Sequence, residues 1–320
     1  MTHLVDILRS KQFVSGQEIA SKLSISRAAV HKRILKLRSA GYSITGHRNL
    51  GYSLHASPDI IGIETIETRL SASDSFIKHF IYQSEITSTQ TAAKESAENG
   101  CPEGTVVITE SQTASYGRFK RNWVSPKGGI WFSVVLRPKI ATDKVPQIAL
   151  IMSIAAARTL RKLYDVDVMI KWPNDLYIGS RKLAGMLVEM SAEIGGLNWV
   201  VAGIGLNANN ALPAEFSASA ITLKEVLTRQ VDRNTLIFEI LANLSQIYYD
   251  YTKYGFARFR NEYNSLSMLN SKVISVVVGG RVVRGKVEGA DENGFLRIKT
   301  PSGKSEKIIA GDITILTTLI

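Results

Sequence analysis

The segment Lys171-Trp-Pro-Asn-Asp-Leu-Tyr-Ile-Gly-Ser-Arg-Lys-Leu-Ala-Gly185 carries more structural information than any other part of this chain. An apolar strand is expected to break at Pro173-Asn174-Asp175, and a turn at Gly179-Ser180 then returns the chain with Lys182 just inside the next apolar strand. A lysine at this point, followed by Ala184-Gly185, is unusual for plain packing. It predicts a cation aimed at an anionic oxygen of a ligand, with glycine leaving room for close approach. The alternative is an edge lysine whose ammonium group reaches solvent.

The sequence around this segment alternates between apolar strands and helical stretches. Strand patterns occupy residues 105–109, 130–136, 166–172 and 199–205, and helical periodicity covers 146–164 and 232–263. This alternation predicts an α+β domain over residues 60–270 with a mixed or mostly antiparallel sheet.

Beyond residue 270 the pattern changes to short strands separated by tight turns. Gly279-Gly280, Asn293-Gly294 and Pro301–Gly303 are the turn signals. Their spacing predicts a small β-barrel over residues 271–320.

The first 58 residues have the pattern of a winged helix-turn-helix domain, and Ala56-Ser-Pro58 at its end marks a linker. Two helical stretches are joined by a short turn at Ser24-Ile25, and the second buries Val30, Ile34 and Leu37 on one face. A two-stranded wing is expected to follow. This is the layout in which a recognition helix enters the major groove of DNA.

Charge supports a polyanionic partner for this N-terminal domain. Residues 1–58 hold nine Lys and Arg against two acidic residues, a net +7 within a total of +11. Basic domains bind DNA by releasing its counterions. The predicted DNA-contacting residues are Ser26, Arg27, His31, Lys32 and Arg33 of the second helix and Arg48 of the wing. A small protein-interaction domain with a solvated basic face is the alternative.

Composition excludes several kinds of chemistry. All five histidines lie at or before His79, so an active site in the rest of the chain works without imidazole. A Ser-His-Asp triad or a His/Cys zinc site is therefore excluded there, and we predict no metal site built by the protein. The single cysteine, Cys101, rules out an internal disulfide. No secretory signal or membrane-span pattern occurs, which predicts a cytoplasmic protein.

Two further clusters carry polar or charged groups suited to ligand binding. Glu85–Gln90 joins a strand end to a helix start, where Ser88 and Thr89 can cap the helix and present hydroxyl groups. Residues 111–129 form a basic loop that lacks Asp and Glu but contains glycines, Trp123 and several Lys and Arg. Such a loop can fold over a phosphate. Gly203 and Gly205 in a strand also indicate close ligand approach.

Together these motifs resemble the biotin protein ligases of bacteria and archaea. The resemblance rests on Lys171–Asp175 with Arg181–Gly185, on Ser88-Thr89, on the Gln112–Trp123 loop, and on Gly203–Asn207. It spans the whole chain, and the two terminal domains are similar to those of the longer, bifunctional ligase and biotin operon repressor. The implied fold is a winged helix, a central domain like that of class II aminoacyl-tRNA synthetases, and an SH3-like barrel.

The resemblance implies a two-step reaction. Biotin and ATP, with Mg²⁺ accompanying the triphosphate, give biotinyl-5′-adenylate, and a lysine of a biotin carboxyl carrier protein then attacks it. Lys182 would stabilise the negative charge of the biotin carboxylate and α-phosphate, Arg118 would close on the ligand, and Asp175 would orient the incoming amine or accept its proton. The implied biotin and adenylate site comprises Ser88, Thr89, Gln90, Gln112, Tyr116, Gly117, Arg118, Trp123, Lys171, Asn174, Lys182, Gly185, Gly203, Gly205 and Asn207.

The resemblance also implies repression by a homodimer that forms when adenylate is bound and that recognises operator DNA. This chain departs from the family in the loop, where Ser115-Tyr116-Gly117-Arg118 replaces the usual Gly-Arg-Gly-Arg. Gln90 stands where asparagine is usual, and Ala220 where some members have a tryptophan near adenine. We therefore expect weaker or slower loop closure and weaker nucleotide binding.

Two alternatives stay open at this point. The altered loop favours a biotin-sensing regulator with weak or no ligase activity, whereas Lys182 and its hairpin favour a ligase. A lipoate or octanoyl transferase of similar architecture is the other alternative, and the Lys171–Asp175 motif and the tryptophans of the basic loop count against it.

Overall fold

The computed structural model describes residues 2–39, 41–56, 58–278 and 280–316, so Ser57 of the predicted linker and Gly279 of a predicted turn lie outside it. The chain divides into two compact units, Met1–Thr65 and Ile66–Ile320. Within the described ranges, no helix combines the length and apolarity that a bilayer span requires.

The first unit is a winged helix, as predicted. It comprises α1 (Thr2–Arg9), α2 (Gly16–Leu23), α3 (Arg27–Ser39), β1 (Ser43–His47) and β2 (Gly51–Ala56). Ser15 and Ser26 cap α2 and α3, because their hydroxyl oxygens accept hydrogen bonds from the main-chain N–H groups of Glu18 and Ala29. Val30, Ile34 and Leu37 of α3 are all buried. The apolar stripe of α3 therefore faces the core, and its basic residues are left outside.

Helix α4 (Ile63–Ser71) spans the boundary between the two units. The larger unit is built on a seven-stranded mixed sheet. Its further elements are β3 (His79–Ile86), α5 (Thr89–Glu98), β4 (Thr105–Gln112), β5 (Ile130–Leu136), α6 (Pro146–Tyr164), β6 (Val168–Lys171), β7 (Asp175–Ile178), β8 (Arg181–Glu193), β9 (Gly196–Leu206), α7 (Leu223–Leu227), α8 (Arg233–Tyr254) and α9 (Arg260–Leu266). The strand order is β3-β4-β5-β9-β8-β7-β6. Only β3 and β4 are parallel, and the remaining neighbours are antiparallel.

The two faces of this sheet have different roles. Ala93 and Ala97 of α5 pack against Val107, Val135 and Val201 on one face. Helix α6, which packs against α8, covers the end of the sheet formed by β6, β7 and β8. In the β8–β9 register, Leu187 pairs with Gly203 and Gly185 with Gly205. Gly203 and Gly205 lie two and four residues after Val201 along β9. Since side chains alternate along a strand, these glycines lie on the face that carries α5.

Helical periodicity over 232–263 predicted one long helical stretch, and the structure divides it. Helix α8 ends at Tyr254, Gly255 adopts φ 72°, and a short 3₁₀ turn at 256–259 leads into α9. Glycine lacks a Cβ atom, so it adopts a positive φ at a helix end with little strain. The position of the break is therefore indicated in the sequence by Gly255.

The C-terminal residues form a five-stranded antiparallel sheet, in agreement with the small β domain predicted there. Its strands are β10 (Val273–Val278), β11 (Arg281–Ala290), β12 (Leu296–Lys299), β13 (Ser305–Ile308) and β14 (Asp312–Ile315), in the order β13-β12-β11-β10-β14. Its 291–295 turn contacts the large sheet, because the indole N–H of Trp172 donates to the Gly294 carbonyl at 2.9 Å.

A buried ion pair joins α8 to the large sheet. Arg233 Nη2 lies 2.8 Å from Glu110 Oε2, and the two side chains are 1% and 9% exposed. Arg233 Nη1 also donates to the Gly129 carbonyl at 3.0 Å. The pair thus anchors the end of the basic loop to the start of α8.

Candidate active site

A cavity of about 370 Å³ opens on the sheet face that carries α5. This volume is in the range of small-molecule sites. The cavity brings together all but one of the residues predicted to bind biotin and adenylate, together with Asp175. They are Ser88, Thr89, Gln90, Gln112, Tyr116, Gly117, Arg118, Trp123, Asn174, Asp175, Lys182, Gly185, Gly203, Gly205 and Asn207.

The exception is Lys171. It does not line the cavity, and its ammonium nitrogen lies 5.4 Å from the centre of the Tyr177 ring. Lys171 pairs with Asp175 across the β6–β7 hairpin. Lys171 is thus next to the site in the sequence and in the sheet, but its side chain is not part of the cavity wall.

Lys182 owes its orientation to an irregularity in β8. Tyr177 of β7 pairs with Lys182, but the next residue back, Leu176, pairs with Ala184, so Leu183 is an extra residue. Such a bulge changes the face on which the following side chains lie. Lys182 consequently shares a face with Gly185, and a Cβ atom added to Gly185 would lie 3.3 Å from Lys182 Nζ.

Lys182 forms an ion pair inside the site. Its Nζ lies 2.8 Å from Asp175 Oδ2, and the two side chains are 28% and 23% exposed. The same nitrogen lies 5.0 Å from the centre of the Trp123 ring. The ammonium is held in place by a carboxylate and an aromatic face, and it stays open to the cavity.

Asn174 connects the Pro173 turn to the basic loop. Its amide nitrogen donates to the Met186 carbonyl at 2.6 Å, which fixes the side chain. Its Oδ1 atom accepts a hydrogen bond from Arg118 Nη1 at 3.3 Å. Arg118 thereby reaches from the loop to the wall that also carries Lys182.

Polar side chains at the start of α5 form a fixed network. Thr89 N–H donates to Gln112 Oε1 at 2.7 Å, and Gln112 Nε2 donates to Ser125 Oγ at 2.9 Å. Gln90 Nε2 donates to the Val201 carbonyl at 3.1 Å, and its Oε1 accepts from Ser133 Oγ at the same distance. The network holds both glutamine side chains in single orientations on the cavity wall.

The strand glycines make room mainly for the protein's own side chains. A Cβ atom on Gly203 would lie 2.6 Å from Gln90 Oε1, and one on Gly205 would lie 2.6 Å from Trp123 Nε1. We predicted close ligand approach at these glycines. Both border the cavity, and the contacts that require glycine there are those of Gln90 and Trp123.

The electrostatics of the cavity favour an anion. Its charged lining residues are Arg118, Arg121, Lys182 and Asp175, three cations against one carboxylate. Burial and then the Asp175 carboxylate raise the pKa of the lining residue Tyr177 to about 12, so this phenol is neutral near pH 7. Ligand phosphate oxygens would therefore meet an excess of positive charge.

Sequence reasoning missed several residues around this cavity. Ser125 and Ser133 complete the glutamine network, and Lys94 and Glu189 contact Tyr116. The sequence pattern that could have identified Ser133 is the alternation of side chains along a strand. It places Ser133 on the same face as Gly203 once the pairing of β5 with β9 is known. That pairing is not readable from the sequence.

The predicted DNA-contacting residues lie on the outer surface of the first unit. The basic and polar side chains of α3 and of the wing turn are all exposed: Ser26, Arg27, His31, Lys32, Arg33 and Arg48. Arg38 differs, because its Nε donates to the Ile44 carbonyl at 2.8 Å and ties α3 to the wing.

Family models match three consecutive parts of the chain. Residues 1–53 match an HTH domain, residues 82–207 the biotin/lipoate A/B protein ligase family, and residues 272–316 the biotin protein ligase C-terminal domain.

Relatives match nearly the full length. The bifunctional ligase/repressor BirA of Bacillus spizizenii is 36% identical over 307 residues, which cover 94% of both chains. BirA of Escherichia coli K12 is 28% identical over 299 residues, covering 92% of this chain and 91% of that protein.

A solved structure supports the same assignment. The biotin protein ligase of Aquifex aeolicus, in complex with biotin and ATP, superposes with a TM-score of 0.66 at 27% identity and covers 75% of this chain and all of that one. The resemblance inferred from sequence motifs is confirmed. This chain belongs to the biotin protein ligase family, in its bifunctional ligase/repressor form.

Proposed function

We propose that this protein is a biotin protein ligase that also acts as a biotin-responsive repressor of transcription. The observation that carries the ligase function is the ammonium of Lys182, held by Asp175 at 2.8 Å on the wall of a cavity with a cationic lining. Biotin and ATP would give biotinyl-5′-adenylate there, and the biotinyl group would pass to a lysine of a biotin carboxyl carrier protein.

The described residues support a division of labour in the first step. Lys182 would stabilise the negative charge that grows on the carboxylate and α-phosphate oxygens in the transition state, in a site from which water is partly excluded. Ser88, Thr89, Gln90 and Gln112 line the same cavity and would hold the biotin head group. The buried indole N–H of Trp123, for which no acceptor is in reach among the described residues, would donate to the ligand.

Asp175 has a role in the second step. Its carboxylate is the only acidic group among the described residues that line the cavity. It would orient the carrier lysine or accept a proton from it as the amine attacks the mixed anhydride. No covalent link between enzyme and biotin is required.

Magnesium fits this site as a part of the nucleotide. No group of three His, Cys, Asp or Glu side chains lies together in the described part of the chain. Mg²⁺ commonly binds through substrate phosphates with one or two carboxylates and several waters. When bound, Mg²⁺ would neutralise phosphate charge. Asp175 is the carboxylate of the described cavity lining that would contact it.

The repressor function rests on the first unit. An exposed basic helix and a basic wing turn suit the major groove and the adjacent backbone of operator DNA. A homodimer formed when adenylate is bound would present two such helices to a two-fold operator. Acting on ATP, a carrier protein and DNA, the protein would work in the cytoplasm.

A single experiment tests the ligase function. The purified protein is incubated with biotin, ATP and Mg²⁺, bound biotinyl-adenylate is sought by mass spectrometry, and a carrier domain is then added. We expect both the adenylate and the biotinylated carrier. Adenylate without transfer would favour a biotin-sensing regulator, and binding of lipoate in place of biotin would favour a lipoate enzyme.

We expect Arg118→Ala to release biotinyl-adenylate faster. The substitution removes a guanidinium from the cavity wall and its hydrogen bond to Asn174. Hydrogen bonds to charged groups contribute roughly 1.5–3 kcal/mol, so the dissociation rate should rise about ten- to a hundredfold. Dissociation is followed by chasing labelled adenylate. Lys139→Ala, an exposed cation outside the cavity, is the control, and equal rates for the two variants would contradict the role of Arg118.

We expect Arg48→Ala to weaken binding to duplex DNA and to reduce its salt dependence. Removing one cation that neutralises a phosphate should change the slope of log K against log[salt] by about 0.9. Fluorescence anisotropy with a duplex of arbitrary sequence measures this slope. Lys11→Ala is the control, since Lys11 pairs with Glu18 and lies outside α3 and the wing. An unchanged slope for Arg48→Ala would argue against an interaction between Arg48 and a phosphate.

A further inference from the structure

Three side chains from separate elements meet beside the cavity, and we call them the loop clamp: Lys94 of α5, Tyr116 of the basic loop and Glu189 of β8. Lys94 Nζ donates to the Tyr116 hydroxyl at 2.9 Å. The hydroxyl donates in turn to Glu189 Oε2 at 3.1 Å. Lys94 Nζ and Glu189 Oε1 are 3.3 Å apart, which closes the triangle.

The loop clamp holds a segment that already has internal structure. Tyr116 and Asn122 form an isolated antiparallel bridge, and the Gly117 N–H donates to the Arg121 carbonyl at 2.8 Å. Trp123 N–H donates to the Ser115 carbonyl at 3.1 Å. Residues 115–123 therefore fold as one small hairpin, and fixing Tyr116 fixes the hairpin that carries Arg118 and Trp123.

A second cation completes the arrangement. Lys120 Nζ lies 3.7 Å from the centre of the Tyr116 ring and 3.8 Å from Glu189 Oε1. Lys94 and Glu189 are only about one quarter exposed, at 25% and 27%. At that exposure ion pairs are less screened by salt than pairs on the open surface.

The charge state of Lys94 agrees with this geometry. Burial by itself would lower the pKa of Lys94, but the hydrogen bond to Tyr116 and the charge of Glu189 together outweigh burial and raise it above its ordinary value. Lys94 is therefore a cation near pH 7.

We propose that Tyr116, Lys94 and Glu189 are positioning residues that hold the basic loop over the cavity through contacts made by the protein alone. The proposal rests on the proposed function, because it assigns a role to the loop of that same site. Every contact of the loop clamp joins two protein groups, so none of them requires biotin or nucleotide. This role differs from our expectation from the sequence. There, the replacement of the family's Gly-Arg by Ser115-Tyr116 was expected to weaken closure of the loop over the ligand.

As a consequence, the contacts of the loop clamp offset the entropy lost on ordering the loop before any ligand binds. Preorganisation improves retention of a ligand by reducing the conformational entropy that binding removes. Preorganisation also limits the conformational change that the ligand can cause. A ligand shifts the equilibrium between the released and the held loop only by its difference in affinity for these two states. A loop that is already held in place makes repression less responsive to adenylate.

Limited proteolysis tests the loop clamp without any ligand. Trypsin can cut the hairpin after Arg118, Lys120 or Arg121 only when the loop leaves the surface. Tyr116→Phe removes the hydroxyl and keeps the ring. We expect it to accelerate cleavage in the loop about tenfold in the absence of biotin and ATP, the factor that corresponds to ~1.4 kcal/mol. Tyr249→Phe, at a tyrosine that is 65% exposed, is the matched control.

A second variant separates the loop clamp from a general loss of structure. Glu189→Gln should also accelerate loop cleavage, and the double variant with Tyr116→Phe should be no faster than the quicker single variant, because both act on one network. Cleavage elsewhere in the chain should stay slow. Wild-type protein cut in the loop as fast as Tyr116→Phe would overturn the proposal. Because no biotin, ATP or DNA is present, failure of the ligase assay would leave this result unaffected.

Discussion

Lys182→Ala should lower the rate of biotinyl-adenylate formation by about a hundred- to a thousandfold. Removing one preorganised group that stabilises charge in a transition state costs roughly 2.7–4 kcal/mol. Lys182 is the cation that Asp175 and the Trp123 ring hold against the cavity, so this is the loss that we expect. Pyrophosphate release measures the rate.

The neighbouring Arg181→Ala is the control for this experiment. Arg181 pairs with Glu225 at 2.6 Å on the surface, where the side chains are 32% and 50% exposed, and such pairs contribute about 0–1 kcal/mol. Both variants should keep a thermal unfolding midpoint near that of the wild type. Unchanged pyrophosphate release in Lys182→Ala would remove Lys182 from the chemistry and with it the ligase mechanism given above.

Arg233→Met should lower the free energy of unfolding by about 3–5 kcal/mol, because it leaves the Glu110 carboxylate buried without this guanidinium. Arg233 and Glu110 are 1% and 9% exposed, so water cannot easily take the place of the guanidinium. The Gly129 carbonyl loses a donor as well. Equilibrium unfolding in urea measures the change.

Two further variants make this prediction specific to the buried pair. Adding Glu110→Gln to Arg233→Met removes the remaining charge and should recover at least half of the loss. Arg281→Met removes an arginine that is 68% exposed and paired with Glu306, and should cost no more than about 1 kcal/mol. If Arg233→Met costs as little as Arg281→Met, the buried pair has no special role in stability.

The sequence alone determined the order and type of most elements. The 3.6-residue spacing of Val30, Ile34 and Leu37 predicted the buried face of α3, and helical periodicity predicted α6 at 146–164, which the structure contains with the same limits. These features depend on residues close together in the chain, so local periodicity suffices to read them. The residues of the cavity were identified differently, because their assignment as a biotin and adenylate site came from the resemblance of their motifs to a known family.

Only the tertiary structure decided how those residues face one another. Leu183 is an ordinary apolar residue in the sequence, yet as the extra residue of a bulge it moves Lys182 onto the face of Asp175 and Gly185. Strand pairing likewise set Gly203 beneath Gln90 and Gly205 beneath Trp123, and it brought Glu189 to Tyr116 across 73 positions of the chain. Register and long-range pairing depend on the packing of the whole sheet, and one residue of slip reverses every side chain, which is why local patterns cannot specify them.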